Sequence, residues 1–241
     1  MDLGLRGRLA LVTAASKGLG RACAEALIAE DARVYIASRD PKAIEATGRA
    51  IHAAGWSAHD ISQPGEPAAV VKAEVDALGG LDILVVNAGG PPPGTFQSVP
   101  LEAWEQAIQL TLMSAVRLVD EALPHLKRSS QGRIVFISSI SVRQPIPNLV
   151  LSNALRGAVT GLAKTLSREL APHGITVNSL APDGILTDRI RELGVTPGSP
   201  LGRFGDPAEF AAACAFLCSR QAAYITGQTL GVDGGSLVGV H

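Results

Sequence analysis

Short, almost wholly apolar runs alternate along this chain with longer stretches in which apolar residues recur at helical spacing. The short runs at residues 9–13, 34–37, 57–60, 83–86, 134–138, 176–181 and 229–232 read as strands buried on both faces. The stretches between them read as amphipathic helices. Parallel strands need crossover helices, so the alternation predicts an α/β, doubly wound fold with a single seven-stranded parallel sheet and helices on both faces. Asp40-Pro41 and Asp206-Pro207 each place a capping carboxylate before a proline at the first helical position, which predicts two helix starts. Further helices are expected from Arg21 to residue 30, over 101–126 and over 149–171. The Gly- and Pro-rich pieces at 89–94 and 197–205 fall where loops are expected and are too short to divide the chain, so one domain spanning 1–241 is predicted.

Composition narrows the function. Hydrophobic residues make up 46% of the chain and charged residues 18%, enough for a sizeable core. Lys plus Arg (21) nearly balances Asp plus Glu (22), so no global field recruits nucleic acid or an anionic membrane, and a small-molecule ligand is expected. No apolar run is long enough for a bilayer. The N-terminus runs from Met1 to Arg6 directly into the first strand, without the pattern of a signal peptide. Cys23, Cys214 and Cys218 lie in helical patterns and read as reduced, packed thiols of a cytoplasmic protein. Five scattered histidines give no metal site.

After the first strand comes Thr13-Ala14-Ala15-Ser16-Lys17-Gly18-Leu19-Gly20, opening a helix. Glycines at a strand-to-helix turn let the backbone approach a pyrophosphate, and the N–H groups of the helix start hold its charge. Farther on, where an acidic residue would bind the ribose of NAD, the chain has Ser38-Arg39. Arg39 and Lys17 suit a 2′-phosphate, so NADP(H) is preferred and NAD(H) is the second choice.

Together with His59-Asp60-Ile61, Val86-Asn87-Ala88-Gly89-Gly90, the run 132–139, the run 174–182, Gly227-Gln228 and the run 232–235, this loop resembles the short-chain dehydrogenase/reductase family over essentially the whole chain. The resemblance implies a Rossmann fold and a small-molecule carbonyl or alcohol substrate. It assigns cofactor contacts to Thr13, Ala15, Ser16, Lys17, Gly18, Leu19, Gly20, Ser38, Arg39, Asp60, Ile61, Asn87, Ala88, Gly89, Arg156, Pro182, Asp183 and Ile185. It also implies a homotetramer or dimer packed through the helices over 101–126 and 149–171. Ala115, Val116, Leu118, Val119, Ala154, Leu155, Ala158, Val159 and Leu162 give those helices apolar surface.

The family's active site joins an asparagine, a serine and a Tyr-x-x-x-Lys pair. Here the candidates are Ser139, Ser152 at the tyrosine position, Arg156 at the lysine position and Thr111 for the asparagine. Ala14 replaces the first glycine of the cofactor loop, and Asp183 the glycine after Pro182. The only tyrosines are Tyr35 and Tyr224, so a shifted register restores no phenol. A tyrosine of pKa roughly 10 is a far better acid than a serine hydroxyl, and arginine cannot relay a proton as lysine can. Three readings fit. The first is an oxidoreductase in which Ser139 and Arg156 stabilise the alkoxide while water, Ser152 or Asp183 handles the proton. The second is a non-catalytic NADP(H)-binding module; the third is elimination or epimerisation on the same scaffold. A short segment over 187–205 implies an open lid, and Pro91-Pro92-Pro93-Gly94 a stiff loop beside the pocket.

Overall fold

The computed structural model describes residues 2–194 and 196–239. Seven strands, β1 Leu9–Thr13, β2 Arg33–Ser38, β3 Gly55–Ala58, β4 Ile83–Val86, β5 Arg133–Ile137, β6 Thr176–Pro182 and β7 Thr229–Val232, form one sheet of order β3-β2-β1-β4-β5-β6-β7. Every pairing is parallel. The order reverses between β1 and β4, and such a reversal opens a crevice at the carboxyl ends of the strands.

Helices cover both faces, which is why β4 and β5 are buried along their whole length. On one face α1 Gly18–Ala29, α2 Pro41–Ala50 and α8 Pro207–Cys218 close a core around Leu27, Ile36, Val85 and Phe210. On the other, α3 Glu66–Leu78, α5 Ser114–Leu126 and α6 Val150–Glu169 close a second around Leu84, Leu118, Phe136 and Val159, and a short helix α7 Asp188–Leu193 follows β6. All three cysteines are free and buried. A hydrogen bond with Cys214, then burial, push the Cys218 thiol well above its ordinary range. No helix among the described residues is long and apolar enough to cross a membrane.

Four expectations need correction. The third strand covers Gly55–Ala58 rather than 57–60. It is an edge strand paired only with β2, where Gly55 lies under the Tyr35 ring, and Asp60 already belongs to the turn that follows. The first helix opens at Gly18 rather than Arg21, so Gly18, Leu19 and Gly20 are its first turn. The single helix expected over 101–126 is α4 Leu101–Ala107, a π-helical segment Ile108–Met113 and then α5. Finally, Ala115, Leu118, Val119, Leu155 and Val159 are buried in the chain's own core, so they offer no surface to a second subunit. Ala154 and Ala158 remain exposed.

Candidate active site

The crevice begins with a lock between two strand ends. Thr13 Oγ1 donates to the Asn87 carbonyl at 2.7 Å and accepts from Asn87 N at 3.0 Å, while Asn87 Nδ2 donates to Ala14 O at 3.2 Å. This joins β1 to β4 where the strand order reverses. Ala14 carries φ +48°, a left-handed conformation that costs a residue with a Cβ roughly 1–2 kcal/mol. Ala15 N donates to Ala37 O at 3.1 Å, and Thr47 Oγ1 donates to Ser16 O at 2.8 Å, so the loop is tied to both β2 and α2.

Gly18 opens α1 at φ +60°. A Cβ on Gly20 would stand 2.6 Å from Ala14 O and 2.7 Å from Asn87 Nδ2, so only glycine lets the helix start approach the turn this closely. Lys17 is the N-cap of α1 and its side chain makes no capping hydrogen bond, in contrast to Asp40 on α2 and Asp206 on α8. The first-turn N–H groups of α1 are therefore left without a side-chain cap, the arrangement that suits an anion.

The end of β2 supplies Ser38 and Arg39. Ser38 is buried and its Oγ has no partner among the described residues; Arg39 is exposed. The nearest carboxylate in sequence, Asp40, accepts from Lys42 N and Ala43 N at 2.9 and 3.0 Å, and that capping role holds it away from a ribose. Beyond β3, Asp60 accepts from both N and Oγ of Ser62, over a buried Ile61. Ile61, Ile185 and Ala15 are core side chains, so they offer only main-chain atoms to a ligand.

The other half of the crevice lies at the ends of β5 and β6. Ser139 is half-buried, and its Oγ accepts from Ser141 N at 3.1 Å, capping a 3₁₀ turn Ile140–Val142. Ser152 and Arg156 are half-buried one turn apart on α6. Arg156 Nη1 donates to the Ile137 carbonyl at 2.7 Å, which plants the guanidinium at the end of β5, the strand that leads into Ser139. Thr111 is buried in the π-helical segment, and its Oγ1 has no partner among the described residues. Together with Val86, Ala88, Ser138, Arg156 and their neighbours it lines a cavity of about 10 Å³, room for one water at most. Pro182 ends β6 and Asp183 follows it, with Asp183 N donating to Val232 O at 3.3 Å.

One participant escaped the sequence reading. Thr160 Oγ1 donates to Arg156 O at 2.9 Å and pairs with Ser138 Oγ at 3.2 Å. The signal was present, since Thr160 continues the i, i+4 face of Ser152 and Arg156. The stiff loop is held by the start of α6, with Gly94 N donating to Asn148 O at 2.7 Å and Val150 N to Gly94 O at 3.2 Å. Neither tyrosine reaches this end: Tyr35 lies within β2 against Gly55, and Tyr224 is fully exposed after α8. A larger hollow of about 730 Å³ sits elsewhere, among Asp2, Arg6, Arg8, Asp31 and Asp82, where Arg6 pairs with Asp31 and Arg8 with Asp82.

A family model described as enoyl-(acyl carrier protein) reductase matches residues 13–236. The chain is 36% identical over 240 residues to the 3-oxoacyl-[acyl-carrier-protein] reductase FabG of Vibrio cholerae, covering 97% of this chain and 98% of that one. L-sorbose reductase of Gluconobacter frateurii, solved with NADPH and L-sorbose, superposes with a TM-score of 0.94 at 31% identity, over 100% of both chains. An NADPH-bound short-chain oxidoreductase of Pseudomonas aeruginosa PAO1, described as containing an atypical catalytic centre, superposes with a TM-score of 0.90 at 31% identity, over 98% of this chain and 99% of that one. With its sheet order and its Thr13–Asn87 lock beside them, this chain belongs to the short-chain dehydrogenase/reductase family.

Proposed function

We propose that the chain is an NADP(H)-dependent oxidoreductase that interconverts a carbonyl and an alcohol, with Ser139 and Arg156 carrying the charge that a tyrosine–lysine pair would otherwise manage. The observation that carries this reading is Arg156, held by the Ile137 carbonyl at 2.7 Å at the strand end that also presents Ser139.

The cofactor fits the residues present. The close approach at Gly20 and the uncapped start of α1 leave a cradle that a Cβ would fill. There Gly18, Leu19 and Gly20 would hold the pyrophosphate through the backbone, with Lys17 and Arg39 toward a 2′-phosphate. NADPH in the L-sorbose reductase and the Pseudomonas oxidoreductase supports the same choice over NAD(H). When bound, the nicotinamide supplies the hydride. Arg156 and Ser139 stabilise the negative charge that gathers on the substrate oxygen, the guanidinium by its fixed charge and the hydroxyl by donating a hydrogen bond. The Ile137 carbonyl keeps the Arg156 guanidinium in place. Arg156 does not surrender a proton at neutral pH, so the proton comes from water or through Ser152 at the mouth of α6.

A second reading, a non-catalytic NADP(H)-binding module, is favoured by the lack of any tyrosine at this end of the sheet. The experiment that separates the two mixes purified protein with NADPH, measures binding by calorimetry, and follows cofactor oxidation over a panel of ketones and β-ketoacyl thioesters. The proposal expects binding with turnover of at least one class; binding without turnover across the panel would contradict it. The proposal extends to a cytoplasmic homodimer or homotetramer. Three free cysteines support that location, and the exposed Ala154 and Ala158 on α6 support the assembly.

A further inference from the structure

The neighbouring ends of β5 and β6 carry opposite charges. In their ladder Ile137 faces Leu180, and Ser138 N still donates to Leu180 O at 2.7 Å. Carried forward, that register sets Pro182 opposite Ser139 and Asp183 one residue beyond. Asp183 is pinned on both sides: its N–H is held by Val232 O, and Gly184, at φ +56°, accepts from Gly205 N at 2.9 Å. Its half-exposed carboxylate makes no hydrogen bond or ion pair among the described residues. Among the described residues, three basic groups of the adjoining segments are engaged elsewhere: Arg143 with Thr229 O, Arg191 with Asp188 and Arg203 with Glu209.

We infer that Asp183 makes the reacting half of the crevice bipolar, its carboxylate favouring the oxidised, cationic nicotinamide while Arg156 favours the alkoxide. The inference rests on the NADP(H) reading above. In a doubly wound fold a dinucleotide lies across the crevice with one nucleotide on each side of the reversal; Arg39 claims the β2 side for the adenosine, which puts the nicotinamide on the β5–β6 side. In carbonyl reduction the hydride moves from the dihydronicotinamide to the carbonyl carbon. The C=O π electrons pass to oxygen, and a proton from water completes the alcohol. Positive charge is left on the ring and negative charge grows on the oxygen. A fixed carboxylate near the ring lowers the free energy of the oxidised cofactor relative to the reduced one, while a guanidinium near the oxygen stabilises the other pole. Asp183 therefore strengthens bound NADPH as a hydride donor, in a site that has lost the phenol which would draw the reaction forward by giving up its proton. Asp183 transfers nothing itself; it tunes the cofactor through its charge.

The test is the affinity of the intact protein for NADP⁺ and for NADPH, each titrated by calorimetry, in the wild type, Asp183→Asn, Asp183→Gly and Asp183→Glu. Both neutral variants are expected to lose about five- to tenfold in NADP⁺ affinity while NADPH affinity stays within about twofold, since only the cationic ring feels the missing charge. Asp183→Glu is expected to keep the wild-type ratio. A ratio unchanged in both neutral variants overturns the inference and leaves the cofactor reading standing. If the wild type binds neither nucleotide, the cofactor reading falls and the inference with it.

Discussion

At the β1–β2–β4 end of the crevice the backbone shapes the site; at the β5–α6–β6 end side chains do. The first region is made from a left-handed Ala14, a helix start that tolerates only glycine at position 20, and main-chain N–H groups with no side-chain cap. The second is made from the side chains of Ser139, Arg156, Thr111 and Asp183, set on an otherwise similar frame. Backbone geometry is specified by many residues at once, so the cradle keeps its form even with Ala14 in place of glycine. Side-chain chemistry changes with one codon, so the reacting end can depart from its relatives without any change of fold. The same backbone frame can thus be kept while the side chains at one end of it change.

The sharpest way to break the comparison is to fill the cradle. Gly20→Val would drive a branched side chain into Ala14 O and Asn87 Nδ2, and NADPH affinity is expected to fall by about a hundredfold or more, read by calorimetry on protein shown to be folded by circular dichroism. Retained affinity would mean that the close approach does not shape the site. Next in size is Arg39→Ala, expected to cut the preference for NADPH over NADH by about tenfold, or about 1.4 kcal/mol, with NADH affinity unchanged. An equal loss for both nucleotides would assign Arg39 a structural role.

A smaller effect, on stability rather than function, separates the frame from the site. Glu74 on α3 is fully buried with both oxygens unpartnered among the described residues, and burial, then the charge of Asp82, raise its pKa to about 8. An acid whose pKa is raised by folding binds more protons in the native state than in the unfolded chain between its two pKa values. Its neutral form is accommodated below the ordinary value of 4.5, and stability is lost as pH rises from there to about 8. Glu74→Leu is therefore expected to raise stability on the order of 1–3 kcal/mol at pH about 8, with the gap narrowing toward pH about 5. Thermal melts across that range read the slope; a variant with the wild-type slope would show that Glu74 does not carry it. NADPH affinity should not move.

The fold was legible because strands buried on both faces and amphipathic crossover helices leave different periods in the sequence. The cradle was legible because Gly18 and Gly20 stand where a strand meets a helix. The π-helical segment was not: one extra residue per turn leaves the apolar periodicity over 101–126 almost unchanged, and only coordinates show Thr111 inside it. The edge strand slipped because a strand with one partner carries a weak pattern, and Trp56 and Ser57 mark no clear face. The apolar residues of α5 and α6 could not be divided by sequence between the chain's own core and an outer surface, since Leu155 and Ala154 look alike until burial separates them. At the reacting end the identities of Ser152 and Arg156 were plain, but the bond from Arg156 to Ile137 O, which gives the guanidinium its position, follows from how α6 lies against β5.

Single-turnover oxidation of bound NADPH by a responsive ketone, compared between the wild type and Arg156→Met, tests the central claim most directly. Removing the guanidinium is expected to slow that step by about a hundredfold or more while the cofactor remains bound, a loss of roughly 3 kcal/mol of stabilisation at the substrate oxygen. An Arg156→Met protein that oxidises NADPH at the wild-type rate would show that the charge on the oxygen is carried elsewhere, and the account of this site would be wrong.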